Sequence, residues 1–174
     1  GLHLYMEKYI RTIIQHMPAD VSSNVKLYNF SVRLLAHMLE FKQPMQLIAD
    51  AVRQEDALFD YFIDNSGEIE QLVFQLAEQY NEQHPEAQIK IWEIKWQMIM
   101  YAHGAASLTP FMKETWADET DSLEVCLLKH WEMYNTMMAC RFQVPDEYIL
   151  HPSKVSELVY EIECDLKGMS EELS

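Results

Sequence analysis

Apolar residues recur every three or four positions through most of this sequence, and runs of strictly alternating apolar and polar residues are almost absent. That spacing places the apolar side chains on one face of an α-helix. Prolines and polar loops separate the helical segments. The pattern predicts helices over about residues 2–17, 25–41, 66–83, 86–103, 120–141 and 153–167, with two short helices following Pro44.

Two of these helices carry further expectations. The helix ending near Phe41 has an apolar face that we expect to point into the core, formed by Leu27, Phe30, Leu34, Leu35, Met38 and Phe41. The helix over 86–103 is apolar on nearly all sides, which is typical of a helix at the centre of a fold. The last helix is expected to stop at Gly168. With no repeat or linker, we predict an all-α, single-domain bundle of eight or nine helices over residues 1–174.

Composition supports an ordered chain without a membrane segment. Hydrophobic residues make up 49% of the sequence, so a substantial core can form. The most apolar helix is interrupted by Lys90, Glu93 and Lys95 and cannot span a bilayer. The cysteines form no CxxC pair; we interpret Cys126, Cys140 and Cys164 as reduced, small core residues of a cytoplasmic protein.

Acidic residues outnumber basic ones by 28 to 13, a net charge of −15. Such a balance disfavours nucleic acid and anionic membranes, and it favours either plain solubility or a cationic partner. The excess is concentrated after residue 113, where fourteen acids face four bases. The expected contact set for a basic partner lies on the final helix: Glu157, Glu161, Glu163 and Asp165.

Residues 48–72 have the rhythm of a helix-turn-helix, but their charge argues against DNA recognition. Between residues 45 and 72 there are seven acids and one base, Arg53. A helix that binds DNA needs lysine and arginine beside it to neutralise phosphates. We therefore expect this stretch to pack its apolar residues into a core, and we expect no direct nucleic-acid binding by this chain.

Motifs for catalysis or metal binding are sparse, and we predict neither a catalytic residue nor a cofactor. Cys126 and His130 share one helix face at the spacing of two metal ligands, yet no further ligand is apparent, so packing is the favoured interpretation. Arg11 and His16 match the R-x4-H motif and resemble the ribonuclease site of the HEPN superfamily, although Thr12 replaces the usual polar Asn or Asp. These two pairs support a third alternative, a helical metalloenzyme or ribonuclease.

Methionine and aromatic residues are concentrated in two long predicted helices, 86–103 and 120–141. Adaptable methionines and aromatic rings line pockets for apolar ligands, although they also form ordinary cores and dimer interfaces. The predicted ligand-binding set is Trp92, Trp96, Met100, His103, Tyr134 and Met138.

Two stretches resemble the C-terminal effector-binding and dimerisation domain of TetR-family transcriptional regulators. WQMIMYAHGAASL, residues 96–108, is similar to the end of a ligand-domain helix in that family, and LLAHMLEFKQPMQLIADAV, residues 34–52, looks like a helix followed by a shorter crossing helix. The resemblance implies a homodimer formed by two helices and a pocket between central helices, here 86–103, 120–141 and 153–167. No basic DNA-binding segment precedes these stretches in this chain.

Two functions follow as expectations. The leading one is a helical domain that binds an apolar or aromatic small molecule and dimerises, as the regulatory half of a TetR-type regulator does, through a ligand-shifted population of states. The alternative is an acidic helical interaction protein that neutralises a basic partner, as immunity proteins, antitoxins and DNA mimics do.

Overall fold

A computed structural model describes residues 11–40, 67–90, 92–94, 96–97, 100–101, 104 and 123–173. The chain divides into two compact units. The first comprises Gly1–Ala36 with Ser122–Ser174, and the second comprises His37–Asp121. The single-domain prediction is not tested by this division and stays a prediction.

Four complete helices are described: α1 at Ser23–Glu40, α2 at Gly67–Gln83, α3 at Leu123–Arg141 and α4 at Val155–Leu173. Residues 11–15 are also helical, as are the described residues between 92 and 104. Three short 3-10 turns lie at Pro85–Ala87, Asp146–Tyr148 and Pro152–Lys154. No strand occurs in the described ranges, which confirms the all-α class. The count of eight or nine helices stays a prediction, because residues 41–66 lie outside those ranges.

The core of the first unit is built on α1. Its residues Leu27, Phe30, Leu34 and Leu35 are buried, as their helical spacing predicts. The remaining two residues of that face, Met38 and Phe41, lie outside the described side chains. Helices α3 and α4 contact each other and add further buried side chains, among them Tyr134, Met138, Val155 and Ile162.

A buried polar network joins three segments of this unit. The Tyr28 hydroxyl on α1 donates to the Asn135 side-chain oxygen on α3 and accepts a hydrogen bond of 2.8 Å from the Leu150 amide. The Asn135 amide in turn donates to the Leu150 carbonyl at 3.2 Å. Burial raises the pKa of Tyr28, and the hydrogen bond from Leu150 acts in the opposite direction. The phenol is therefore a neutral donor and acceptor at physiological pH.

The C-terminus of α3 ends in a Schellman motif that α1 helps to hold. The Val144 amide bonds the Ala139 carbonyl at 3.0 Å, and the Gln143 amide bonds the Cys140 carbonyl at 3.2 Å. Gln143 has a φ of 51°, the left-handed conformation that this motif requires. The Asn24 amide donates to the Phe142 and Gln143 carbonyls at 3.0 and 3.3 Å, so the first turn of α1 caps the end of α3.

The helix predicted to begin at residue 86 begins later. Residues 85–87 form a 3-10 turn, residues 88–90 are not helical, and α-helix is present from residue 92. The reason lies in α2, where Asn81 donates to the Ile89 carbonyl at 3.0 Å and accepts from the Ile89 amide at 2.6 Å. One side chain thus satisfies both backbone groups of Ile89 and stabilises a non-helical conformation there.

The prediction that the last helix stops at Gly168 is wrong, because α4 continues to Leu173. A glycine inside a helix costs about 1 kcal/mol relative to alanine, but it ends a helix only where the chain turns away in the left-handed conformation. The residues that follow Gly168 include two glutamates and a leucine, which favour helix and allow it to continue.

Two of the cysteines are also placed differently from the prediction. Cys140 on α3 and Cys164 on α4 are exposed free thiols and not core residues, whereas the side chain of Cys126 lies outside the described set. Among the described residues, no helix combines the length and apolar character that crossing a membrane requires.

We expect Tyr28→Phe to lower the free energy of unfolding by about 1–3 kcal/mol, because the Leu150 amide and the Asn135 oxygen lose their buried partner. Tyr148→Phe removes a hydroxyl from a ring that is 43% exposed and serves as the control, with an expected change within about 0.5 kcal/mol. Urea unfolding followed by circular dichroism measures both values. Equal effects of the two substitutions would contradict the role of this network.

Candidate functional site

Three large apolar side chains stand exposed at four-residue intervals in the second unit. Trp92, Trp96 and Met100 are 60%, 58% and 59% exposed and belong to described helical positions. Four-residue spacing puts them on one face, over a length of about 12 Å at 1.5 Å per residue. Ile94, between the two tryptophans in sequence, is buried and anchors the opposite face. We name these three side chains the tryptophan stripe.

The stripe changes the interpretation of its helix. The sequence suggests a central helix that is apolar on nearly all sides and leaves one thin polar stripe at Lys90, Glu93 and Gln97. In the structure Glu93 and Gln97 are half-buried, while the tryptophans face outward. Soluble proteins scatter single apolar residues over their surfaces, so an aligned group of three large ones makes this face a candidate surface for interaction.

The charge of the second unit is the other property of this surface. Residues 37–121 contain sixteen acidic and five basic residues, a net charge of −11, whereas the first unit carries twelve acids and eight bases, or −4. The sequence places the acidic excess in the last third of the chain, but by unit it is larger in the one that contains the tryptophan stripe. An apolar surface in a strongly acidic unit is electrostatically suited to a cationic partner.

The predicted ligand-binding residues fall into both units. Trp92, Trp96 and Met100 form the stripe, and His103 lies outside the described residues. Tyr134 and Met138 belong to the first unit and are buried, with 1% and 0% exposure. A pocket that combines the six side chains stays a prediction.

The first unit also carries a solvent-open depression of about 330 Å³ at the end of α3. Its wall includes the exposed Cys140 thiol and the left-handed Gln143. The lining residues are Asn135, Thr136, Ala139, Cys140, Gln143, Val144, Asp146 and Ile149. Its shallow form does not bury a ligand to the extent that small-molecule sites do.

The four acids proposed for a basic partner differ in their engagement within the protein. Glu157 is exposed and lies 3.3 Å from the Lys154 ammonium, and Glu163 is exposed. Glu161 and Asp165 are partly buried, and both bind side chains of the first unit. Three of the four predicted acids thus already have a basic side chain of the same chain as a partner, and only Glu163 is described without one.

Those partners define a cluster that sequence reasoning did not identify, which we name the His16 cluster: His16, Arg33, Glu161 and Asp165. The Nδ1 atom of His16 lies 2.7 Å from Glu161 Oε1, and its Nε2 atom lies 3.0 Å from Asp165 Oδ2. Arg33 Nη1 binds the same Glu161 oxygen at 2.8 Å. Glu161 and Asp165 stand one turn apart on α4, so both face His16. Their i, i+4 spacing was the only signal in the sequence.

The two predicted pairs with possible chemistry have different surroundings. In the Arg11 and His16 pair, Arg11 is exposed and both nitrogens of His16 face carboxylates. In the Cys126 and His130 pair, His130 is buried, and the side chain of Cys126 lies outside the described set. Burial lowers the pKa of His130 below its ordinary value of 6.5, which favours the neutral imidazole of a packed histidine.

Comparison of the chain with protein-family models, with curated proteins and with solved structures finds no match in any of the three.

The lowered pKa of His130 predicts acid sensitivity. Because the unfolded chain binds a proton near pH 6.5 and the folded protein binds it only at lower pH, this residue's contribution to stability is complete above about pH 6.5 and is lost as the pH falls through the folded pKa. His130→Gln cannot titrate, so the free energy of unfolding should decline less steeply between about pH 6.5 and 5 than in the wild type. Urea unfolding at a series of pH values measures this slope, and identical slopes would show that His130 is not responsible.

Proposed function

We propose that this chain is an all-α binding protein of eight or nine helices that recognises a cationic, amphipathic helical segment of a partner protein. The observation that carries the proposal is the tryptophan stripe, three aligned apolar side chains, each more than half exposed, in a unit of net charge −11. This is the second function expected from the sequence, with its contact surface moved from α4 to the second unit.

The stripe has the dimensions and chemistry of a helix-binding surface. Residues at four-residue intervals match the i, i+4 anchors by which an amphipathic helix docks on an apolar surface. Tryptophan is the residue most enriched among binding hot spots, and methionine adapts its shape to the residues it contacts. Burial of these side chains supplies affinity, since large aromatic residues bury 150–250 Å² each.

Charge selects among the possible occupants of this surface. A basic helix gains favourable long-range attraction to the acidic unit, which raises its association rate and depends on salt. An acidic segment or an anionic membrane is repelled. The combination of an apolar anchor and the negative charge of its unit therefore favours lysine- or arginine-rich amphipathic helices.

One observation also favours the effector-binding and dimerisation function that the TetR resemblance implies. Trp92 and Met100 lie four residues before and after Trp96. If two copies were related by a twofold axis at Trp96, Trp92 of each copy would lie opposite Met100 of the other. Such a homodimer brings two units of net charge −11 together. That repulsion places homodimerisation second to a cationic partner.

The proposal predicts binding of a designed peptide of about 18 residues with leucine and lysine at amphipathic helical spacing. Isothermal titration calorimetry should detect binding to the wild-type protein, with an affinity that falls as salt is raised. Trp92→Ala and Trp96→Ala should each weaken it about 10- to 100-fold, as loss of a hot-spot residue does. A matched peptide with glutamate in place of every lysine should not bind.

Tyr160→Ala is the control variant, because Tyr160 is 70% exposed but belongs to α4 in the first unit. It should bind the lysine peptide as the wild type does. Equal binding of both peptides, or unchanged binding by the tryptophan variants, would overturn the proposal. Sedimentation velocity adds one further decisive outcome. A dimer that Trp96→Ala dissociates would assign the stripe to a second copy of the chain and favour the dimerisation function.

A further inference from the structure

The His16 cluster has the composition of a metal site as well as that of an ion-pair network. One imidazole and two carboxylates meet here from two distant parts of the chain. His16 and Asp165 are 149 positions apart in sequence. One ligand atom from each of His16, Glu161 and Asp165 can be chosen so that all three lie within 4.8 Å of one another. We propose that these three residues bind a divalent transition-metal ion, with Zn²⁺ as the best-fitting candidate.

Binding of one ion by all three residues requires one carboxylate to change its position. Ligand atoms about 2.1 Å from a tetrahedral zinc ion lie roughly 3.4 Å from one another. Glu161 lies 2.7 Å from Nδ1 and Asp165 lies 3.0 Å from Nε2, so the two carboxylates contact different edges of the imidazole ring. A zinc ion binds one ring nitrogen, and the carboxylate on the other edge must rotate towards it. The side chains of Glu161 and Asp165 are 35% and 20% exposed, which leaves room for such a rotation.

The donor set selects the class of metal. Imidazole nitrogen favours Zn²⁺ and neighbouring transition metals, whereas Mg²⁺ and Ca²⁺ prefer oxygen ligands alone. Three protein ligands leave the fourth position of a tetrahedral zinc ion for water or another molecule. The site therefore has the ligand number of an open zinc centre and not that of a closed structural one.

A bound ion would compete with the contacts that hold this cluster together. Each ring nitrogen of His16 already faces a carboxylate, so the ion must take the place of one of these two contacts. Arg33 binds Glu161 at 2.8 Å and orients that carboxylate, as partners of metal ligands do.

The test is a titration of the purified protein with Zn²⁺ in competition with a chromophoric zinc indicator. The wild type should bind one equivalent, and His16→Gln and Asp165→Asn should each weaken binding by about tenfold or more. His84→Gln is the matched control, because His84 faces a single carboxylate, Glu86, at 3.4 Å. It should bind as the wild type does. Circular dichroism verifies that each variant is folded.

X-ray absorption of the zinc-loaded wild type gives an answer that does not depend on any variant. Nitrogen and oxygen ligands near 2.0–2.1 Å, with no sulfur ligand, are expected from the His16 cluster. A sulfur ligand near 2.3 Å would instead assign zinc to a cysteine thiol, such as the exposed Cys140 or Cys164, and would overturn the proposal. Two further results would overturn it: equal zinc binding by the wild type and by His16→Gln, or no zinc binding by the wild type.

Discussion

The buried hydroxyl of Tyr28 joins helix α1, helix α3 and the segment that leads into α4. It donates to Asn135 and accepts from the Leu150 amide, while Asn135 completes the set by binding the Leu150 carbonyl. In an apolar interior each of these groups is costly to leave without a partner, so the three segments can pack well in only one register. The His16 cluster depends on that register, because α4 must present Glu161 and Asp165 toward the residues before α1 and toward Arg33 on α1.

Helical spacing predicts those parts of the fold in which one face of a helix is buried. The apolar face of α1 and the bounds of α2 and α3 follow from it, because burial of a periodic apolar stripe and local capping signals act within a few residues. The start of the helix near residue 92 does not follow, because Asn81, on another helix, stabilises Ile89 outside the helix. Gly168 shows the same limit, since its conformation depends on the chain that follows and not on glycine alone.

The candidate sites are harder to predict than the helices for two different reasons. The tryptophan stripe has the composition of a core, and the sequence cannot say which face of an almost wholly apolar helix is left uncovered. The His16 cluster combines residues that are distant in sequence. The sequence next to each of them resembles an ordinary exposed helix face. Glu161 and Asp165 suggest a solvated acidic face until His16 and Arg33 are placed against them. In both cases the sequence shows which residue types are present, but only the tertiary structure shows which of them are exposed or in contact.

The double hydrogen bond of Asn81 has a chemical consequence that its packing alone does not suggest. An asparagine side chain carries both a donor and an acceptor, and Ile89 uses both of them. Deamidation would convert Asn81 to aspartate, which keeps the shape but replaces the donor by a second acceptor. That oxygen would then face the Ile89 carbonyl, and attraction would become repulsion. Slow chemical ageing at a single amide would thus weaken the attachment of the segment before residue 92 to α2 without any change in the length of the chain.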